Sequence, residues 1–319
     1  ERIQTRELTV IKRTGIRRPF DRTKILKSIT TALRKRNFTN EEIVNLFEDA
    51  TIFNDLQASS VLNGKLVITL FFENSTRTRS SFEIAAKRLG AKVVNLDVST
   101  SSSSKGETLI DTVANLNAMK PDAIIIRHRD CGLPASLVEH VDCPIINAGD
   151  GMNAHPTQSL LDLFTIINHF DGKQNGKKVA ITGDIKTSRV ASSNLQLLPR
   201  FGLELILVAP EHFMPLGDFR KVQFLRDVVD EVDVVMSLRT QLERHSQTYY
   251  KSLEDFGKDY CVTSDIIGSR DILIMHPGPV NRNIDISDEL LADKRCKVLE
   301  QVTNGVAVRM AILKKLILQ

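Results

Sequence analysis

Apolar and polar residues alternate along most of the chain in a pattern that predicts parallel strands joined by helices. Apolar runs, typical of strands buried on both faces of a sheet, occur at 66–72, 92–96, 123–126, 144–147, 178–182, 204–209, 232–238 and 272–277. Between them, apolar residues at helical spacing predict helices at 79–89, 107–119, 133–140, 157–170, 188–200 and around 217–230. We therefore predict an α/β fold with two doubly wound parallel sheets, one formed by residues 60–150 and one by 177–280.

The two ends of the chain depart from this alternation. The pattern there predicts short strands at 7–13 and 16–20, helices at 22–36 and after Thr39-Asn40, and a long last helix at about 305–318, preceded by a segment at 298–304.

The charge of the chain is unevenly distributed. The 319 residues include 43 Lys and Arg against 39 Asp and Glu, a net charge of +4. Residues 1–36 carry 12 basic and 3 acidic side chains, so this arm holds +9 and residues 37–319 hold −5. A basic balance indicates partners that carry phosphate or nucleic acid. The split confines that indication to the arm, and for the body we expect no nucleic-acid partner.

The overall composition excludes several protein classes. A hydrophobic fraction of 42% and a charged fraction of 26% are those of a globular protein. No apolar run approaches the roughly 18 residues of a membrane span. The cysteines form no C-x-x-C pair and lie far apart, at Cys131, Cys143, Cys261 and Cys296. We therefore expect no zinc ribbon, disulfide framework or membrane partner, and a cytoplasmic location.

The first candidate site follows the apolar run at 66–72. Here the sequence Glu-Asn-Ser-Thr-Arg-Thr-Arg (73–79) leads directly into a predicted helix. Hydroxyls, a guanidinium and backbone N–H groups at a helix N-terminus are the groups that bind an oxyanion such as phosphate. A plain helix cap with solvated arginines would use the same residue types, so composition alone leaves both interpretations open.

Two further candidates follow later strands of the first series. Arg127 and His128 come after the third strand, and His155 precedes a proline at a helix start with Gln158 about one turn further on. A helix N-terminus disfavours protonation of histidine, so a neutral His155 could donate to a carbonyl oxygen. A histidine that caps the helix by chance is the alternative.

The second series places two arginines after strands, Arg189 in the segment 183–189 and Arg239 in 239–241, and it ends in the segment 276–282. Two arginines suit a substrate with two carboxylates, although solvent-facing arginines fit the pattern as well. The serine loop before Lys105 is best explained by its composition as an exposed linker. We expect neither a cofactor nor a metal, because no glycine-rich nucleotide motif and no metal-ligand spacing is present.

Taken in order, these segments resemble the transcarbamoylase family, and within it the aspartate-specific enzymes. The resemblance covers about residues 38–319 and consists of FFENSTRTRSSFE (71–83), SSSSKGETL (101–109), RH (127–128), GDGMNAHPTQSLLDLFTI (149–166), GDIKTSR (183–189), LRTQLER (238–244) and HPGPVNR (276–282). The ornithine-specific relatives, which are the alternative, use a Cys-Leu-Pro turn where this chain has residues 276–279. Arg239 also suits a dicarboxylate better than a diamine, so we favour aspartate. Gly278 stands where some relatives carry leucine, which leaves the packing of the pocket open.

The resemblance implies transfer of the carbamoyl group of carbamoyl phosphate to the amine of L-aspartate, giving N-carbamoyl-L-aspartate and phosphate, an early step of de novo pyrimidine biosynthesis that needs no cofactor. It assigns carbamoyl phosphate binding to Ser75, Thr76, Arg77, Thr78, Arg127, His155, Gln158, Ser101 and Lys105. Of these, it makes Arg77, Thr78, Arg127, His155 and Lys105 catalytic. It assigns aspartate binding to Arg189, Arg239, Gln241, Pro277 and Gly278. A catalytically inactive relative is the less favoured alternative, because every one of these polar positions holds a competent residue type.

The resemblance also implies a domain division and an assembly. Residues 37–154, completed by 298–319, are expected to bind carbamoyl phosphate, and residues 155–297 to bind aspartate. Ser101 and Lys105 belong to a loop that reaches the active site of a neighbouring subunit, which implies a homotrimer with shared sites. No feature of the sequence assigns regulatory or dihydroorotase chains as partners.

The arm resembles a different family. Residues 7–36 contain the patterns V-x-K-R-x-G and P-F-D-R-x-K-I, which are similar to the opening of the ATP-cone in bacterial repressors of ribonucleotide reductase genes. The transferase pattern begins at about residue 37, so the cone is truncated, and the zinc ribbon of those repressors is absent. We interpret the arm as a fused remnant that packs locally as a basic hairpin and helix. A nucleotide-responsive regulator that binds DNA through this arm is the alternative.

Overall fold

A computed structural model of the chain describes residues 9–11, 17–19, 38–73, 75–97, 108–241 and 249–319. The predicted helix at 22–36 and the loop with Ser101 and Lys105 lie outside the described residues.

The described residues form strands and helices in alternation. The strands are β1 (Thr9–Ile11), β2 (Arg17–Pro19), β3 (Leu66–Phe71), β4 (Lys92–Asp97), β5 (Ala123–His128), β6 (Ile145–Asp150), β7 (Lys178–Thr182), β8 (Glu204–Val208), β9 (Arg220–Val222), β10 (Val234–Ser237) and β11 (Leu273–Met275). The helices are α1 (Asn40–Ile52), α2 (Thr76–Arg88), α3 (Leu109–Ala118), α4 (Leu133–Ser136), α5 (Pro156–His169), α6 (Arg189–Leu197), α7 (Leu253–Tyr260), α8 (Ser264–Ile267), α9 (Asp288–Leu291) and α10 (Val298–Leu318). β1 and β2 pair antiparallel, which confirms the two strands predicted in the arm.

The first domain is built on a parallel sheet with the order β4-β3-β5-β6 in the described part of the chain. Strand β3 shows why the sheet is covered on both faces. Val67 belongs to the apolar cluster that contains Phe82 of α2, whereas its neighbour Ile68 belongs to the cluster that contains Val113 of α3. Successive side chains of a strand point to opposite faces, so an uninterrupted apolar run is buried by helices on both sides.

The second domain repeats this plan with a parallel sheet of the order β11-β10-β7-β8-β9. Val179 and Ala191 of α6 share one apolar cluster, and Ala180 shares the other with Ile267 of α8. The two doubly wound parallel sheets predicted from the sequence are therefore confirmed.

Two helices connect the domains. α5 packs against β6 of the first domain and against α6 of the second. α10 follows the last strand of the second domain and returns to pack against α1, α2 and α5, as predicted. Both helices carry side chains into the space between the sheets. None of the helices among the described residues is long and apolar enough to cross a bilayer.

The predicted helix around 217–230 is wrong. The segment instead contains β9, which extends the sheet by pairing with β8, and two 3-10 turns at Leu225–Asp227 and Val229–Glu231. Leu225, Val228 and Val229 are buried, so their spacing reflects burial in successive turns rather than one helical face.

Other boundaries also differ from the sequence predictions. α2 begins at Thr76 rather than at residue 79, because Ser75 is its N-cap. β5 continues through His128, so Arg127 lies within the strand and not after it. The helix predicted at 133–140 is divided into α4 and a 3-10 turn, and residues 298–318 form one continuous helix.

Candidate active site

A cleft of about 770 Å³ lies beyond the carboxyl ends of strands from both sheets, where parallel α/β sheets bind their ligands. Its lining includes every described residue that the resemblance assigned to the site, but not the candidate His128: Ser75, Thr76, Arg77, Thr78, Arg127, His155, Gln158, Arg189, Arg239, Gln241, Pro277 and Gly278. The structure thus brings together residues that are separated by as much as two hundred positions along the chain. Ser101 and Lys105 lie outside the described residues.

The lining is strongly cationic. Among the described residues it holds no Asp or Glu and six arginines: Arg77, Arg127, Arg189, Arg239, Arg282 and Arg309. Guanidinium groups pair with carboxylates and phosphates through parallel hydrogen bonds. The cleft is therefore suited to ligands with several negative charges.

The first turn of α2 forms one wall of the cleft. Thr76, Arg77 and Thr78 follow the N-cap Ser75, whose side chain makes no capping hydrogen bond. The N–H groups of a first helical turn have no partner within the helix, and they favour an anion. Arg77 is exposed to the cleft but partly removed from solvent, and this desolvation, followed by the charge of Arg239, lowers its pKa. Arg77 therefore lies near a cation of the opposite domain.

The carboxylate of Glu73 joins the two domains. Glu73 Oε2 accepts hydrogen bonds from Arg127 Nε at 3.2 Å and from Arg189 Nη2 at 2.9 Å. Gly149, at φ +119°, permits this approach, because a Cβ there would lie 3.3 Å from Arg189 Nε and 3.4 Å from Arg127 Nη1. Sequence reasoning gave Glu73 no role, although it is the one acid in a segment of hydroxyls and arginines, which is the signal that could have found it.

His155 is buried at the N-terminus of α5. Its backbone N–H donates to Ser193 Oγ at 2.8 Å, and its Nδ1 is buried with no hydrogen-bond partner among the described residues. Burial, followed by the charges of three nearby arginines, holds the pKa of His155 well below its usual value. The imidazole is therefore neutral near pH 7, with one nitrogen that can donate and one that can accept.

The low pKa of His155 is expected to make stability depend on pH. The unfolded chain binds a proton near pH 6.5 and the folded chain does not, so this contribution is complete above pH 6.5 and is lost as the pH falls. Between pH 6.5 and 5.0 we therefore expect the free energy of unfolding to fall, by on the order of 1 kcal/mol. Urea unfolding of the parent chain and of His155→Asn at both pH values measures the effect. The contribution of His155 is the difference between the two chains in how far the free energy of unfolding changes with pH.

Exposed His140 provides the matched control for this measurement. His140→Asn should keep the pH dependence of the parent chain, whereas His155→Asn should be flatter below pH 6.5. If the unfolding free energies of the parent chain and of His155→Asn depend on pH in the same way, a buried His155 that stays neutral in the folded chain is ruled out.

A buried carboxylate behind the cleft orients Gln158. Asp162 Oδ1 accepts from Gln158 Nε2 and from Gln301 Nε2, both at 2.9 Å, and its Oδ2 accepts from Asn194 Nδ2 at 2.9 Å. Burial raises the pKa of Asp162 to about 6, against the opposing effect of these donors. Because the side-chain N–H₂ of Gln158 donates to Asp162, the Oε1 of Gln158 can accept a hydrogen bond from a ligand N–H in the cleft.

Arg309 extends the site to the last helix. Its Nη1 donates to Ser81 Oγ at 2.9 Å and to Gly305 O at 3.2 Å, and burial lowers its pKa to about 10. Sequence reasoning missed Arg309, Asp162 and Gln301. The available signal was the presence of polar residues on otherwise apolar helices, where a buried polar side chain must find a partner.

The turn at Pro277–Gly278 closes the other side of the cleft. Gly278 has φ +68°, and a Cβ there would lie 3.2 Å from Arg77 Nε. Glycine thus lets the second domain approach the first turn of α2. In the described parts of the chain, no group of three or more His, Cys, Asp or Glu residues is arranged to hold a metal ion.

Comparison with known proteins places this cleft in a family. The model for the carbamoyl-P binding domain of aspartate/ornithine carbamoyltransferases matches residues 31–168, and the model for the Asp/Orn binding domain matches residues 175–316. The aspartate carbamoyltransferase catalytic subunit of Aliarcobacter butzleri is 64% identical over 287 residues, which are 90% of this chain and 97% of that protein. The Campylobacter lari subunit is 61% identical over 284 residues, covering 89% and 97%.

Solved structures agree. The catalytic subunit of M. jannaschii aspartate transcarbamoylase is 36% identical with a TM-score of 0.79, covering 88% of this chain and 95% of that one. The Trypanosoma cruzi aspartate transcarbamoylase in complex with carbamoyl phosphate is 33% identical with a TM-score of 0.80, covering 88% and 93%. The chain therefore belongs to the aspartate/ornithine carbamoyltransferase family, among the aspartate carbamoyltransferase catalytic subunits.

Proposed function

We propose that the cleft binds carbamoyl phosphate and L-aspartate and transfers the carbamoyl group to the aspartate amine, giving N-carbamoyl-L-aspartate and phosphate, an early step of de novo pyrimidine biosynthesis. The observation that carries this proposal is the lining of the cleft, which holds six arginines and no described acid. Relatives named for this activity support it, as does the T. cruzi relative, which has been solved in complex with carbamoyl aspartate and phosphate.

Carbamoyl phosphate is proposed to bind against the first turn of α2. Its phosphate would accept from the N–H groups of residues 76–78, the hydroxyls of Ser75 and Thr76, and the guanidiniums of Arg77 and Arg127. Gln158 Oε1 would accept from the carbamoyl amide. Thr78, Arg127 and neutral His155 would donate to the carbamoyl carbonyl oxygen, because all three line the cleft.

Aspartate is proposed to bind on the side of the second domain. Arg189 and Arg239 would each pair with a carboxylate, with Gln241 nearby, and the backbone carbonyls of Pro277 and Gly278 would accept from its amine. The described charged residues of the lining are all cationic, which favours this dicarboxylate over ornithine, because the second amine of ornithine would lie among arginines without an acidic partner.

The reaction proceeds by attack of the neutral amine on the carbamoyl carbon. The new C–N bond forms and the carbonyl oxygen gains negative charge. The C–O bond to phosphate then breaks with its electron pair on phosphate, and the amine gives up one proton to the departing phosphate. Donors already in place for both oxygens stabilise this charge without reorganisation. Holding two substrates in one cleft contributes by removing the entropy cost of their encounter.

We also propose the assembly and the domain division implied by the sequence. A cytoplasmic homotrimer would let the loop of Ser101 and Lys105 complete the site of a neighbouring subunit. Residues 37–154 with 298–319 would form one domain and 155–297 the other. Two separate family models support two domains. The first model extends over α5, which packs on both domains.

The arm is proposed to be a truncated ATP-cone remnant that the transferase does not need. The family model begins at residue 31, so most of the arm lies outside the region that the family shares. The alternative is a regulator that binds DNA through this arm, and it requires nucleotide-dependent DNA binding by the full chain. If the full chain binds neither ATP nor DNA, this alternative is ruled out.

The test is an assay of carbamoyl transfer with aspartate and ornithine in parallel, on the full chain and on a chain that lacks residues 1–36. We expect N-carbamoyl-L-aspartate from both chains at equal rates and no citrulline from ornithine. Product from ornithine alone would reverse the assignment. Absence of both products from a folded trimer would refute the proposed function.

A further inference from the structure

A buried pair of side chains behind the proposed aspartate site has no role in the scheme above. The His276 imidazole and the Asp285 carboxylate are both fully buried, with His276 Nε2 3.2 Å from Asp285 Oδ2. His276 directly follows β11, and Asp285 comes from the segment that leads to α9.

The hydrogen bonds of His276 fix its tautomer. Nδ1 accepts the backbone N–H of Gly278 at 2.8 Å, so it carries no proton. The proton of the neutral ring therefore lies on Nε2, which donates to Asp285. The ring thereby joins the turn at Pro277–Gly278 to the carboxylate.

Asp285 in turn holds a second loop. Its Oδ2 also accepts the Asn281 N–H at 2.8 Å, and its Oδ1 accepts the N–H of Thr240 at 3.3 Å and the Thr240 hydroxyl at 3.4 Å. Thr240 lies between Arg239 and Gln241 in the sequence. The Asp285 backbone is itself anchored, because its carbonyl accepts from Ser237 Oγ at the end of β10 at 3.0 Å.

We propose that His276 and Asp285 are positioning residues that hold two aspartate-binding loops, 239–241 and 276–281, at a fixed distance from each other. The proposal rests on the proposed function, because the loops carry four of the five residues assigned to aspartate. Those residues are Arg239, Gln241, Pro277 and Gly278. Neither His276 nor Asp285 is required to touch a substrate.

The two substrates should respond differently when the pair is broken. Asp285→Asn replaces one accepting oxygen by an N–H₂ group, which cannot accept a hydrogen bond. In one orientation of the amide this group faces the donors of Thr240, and in the other it faces those of Asn281 and His276. His276→Asn keeps an acceptor for the Gly278 N–H, as in an Asx turn, but is too short to reach Asp285. Both changes loosen the link between the loops, and neither substituted residue lies in the first turn of α2.

The experiment measures the KM for aspartate and the KM for carbamoyl phosphate in the full chain and in both variants. We expect the aspartate KM to rise about tenfold or more, since small misplacements of binding groups are costly, and the carbamoyl phosphate KM to stay within about twofold. Asp233→Asn is the matched control. Its carboxylate accepts from Lys177 Nζ at 2.7 Å and from the Lys178 N–H at 2.9 Å, at the opposite end of the same sheet.

Each outcome decides the proposal. An unchanged aspartate KM, an equal rise for both substrates, or the same rise in Asp233→Asn would overturn it. Failure of both pair variants to fold would show a structural role and would overturn it as well. A parent chain that makes no carbamoyl aspartate would refute the proposed function instead, so the two failures are distinguishable.

Discussion

The variant Arg77→Ala is expected to lose about 10³-fold in kcat for carbamoyl transfer while its thermal unfolding stays close to that of the parent chain. Arg77 is exposed in the cleft, in the first turn of α2 and beside the Pro277–Gly278 turn, so truncation removes charge but little packing. At that position its guanidinium would meet the phosphate as negative charge moves onto it. A donor that acts mainly in the transition state affects kcat more than substrate binding.

Steady-state kinetics and a thermal melt check this expectation. Lys87→Ala is the matched control, because Lys87 is exposed at the other end of α2 and pairs with Glu83. We expect the control to retain the parent kcat. The kcat of Arg77→Lys should lie well below that of the parent chain, because an ammonium lacks the guanidinium fork. An unchanged kcat in Arg77→Ala would remove Arg77 from the catalytic set.

The sheets were predictable because their strands carry an intrinsic signal. Runs such as 66–71 and 178–182 are mostly apolar, and the structure buries them between helices on both faces. Capped helices are similarly local: Thr39 accepts from the Glu42 N–H, and Glu42 accepts from the Thr39 N–H. Such features depend on neighbours within a few residues, which the sequence displays directly.

Elements whose form depends on distant contacts were not predictable. The segment 217–230 has apolar residues at helical spacing, yet pairing of Arg220–Val222 with the edge of β8 converts its start into a strand. The remaining apolar residues are buried by short turns. Tertiary pairing outweighs a weak helical pattern in such a segment, and nothing in the local sequence reports that pairing.

The residues of the site show the same difference between features that local sequence indicates and features that depend on distant contacts. Arg77, His155 and Arg189 stand at helix starts after strands, where their position alone suggests ligand binding. Glu73 and Asp162 do not, because their roles come from partners on other elements: Glu73 reaches Arg189 across 116 positions, and Asp162 reaches Gln301 across 139. Sequence analysis therefore finds the groups that face the ligand more readily than those that hold them in place.

The variant Arg189→Met is expected to lose about 10³-fold in kcat/KM for aspartate and to keep the parent KM for carbamoyl phosphate. Arg189 is 7% exposed, and its Nη1 donates to Gly151 O at 3.2 Å, so its guanidinium is held rigidly in the cleft wall. Loss of a buried group built to pair with a charged substrate costs far more than loss of an apolar contact. Methionine preserves most of the volume, and Glu73 keeps its bond to Arg127.

Kinetics with each substrate varied in turn separate the two binding steps of this variant. Arg226→Met is the matched control, since Arg226 is an exposed arginine of the same domain that stacks on Phe224 outside the cleft. We expect the control to behave as the parent chain does. Equal losses for both substrates would mean that Arg189 shapes the whole cleft through Glu73 rather than binding a carboxylate. An unchanged kcat/KM for aspartate would show that another arginine of the lining binds the carboxylate.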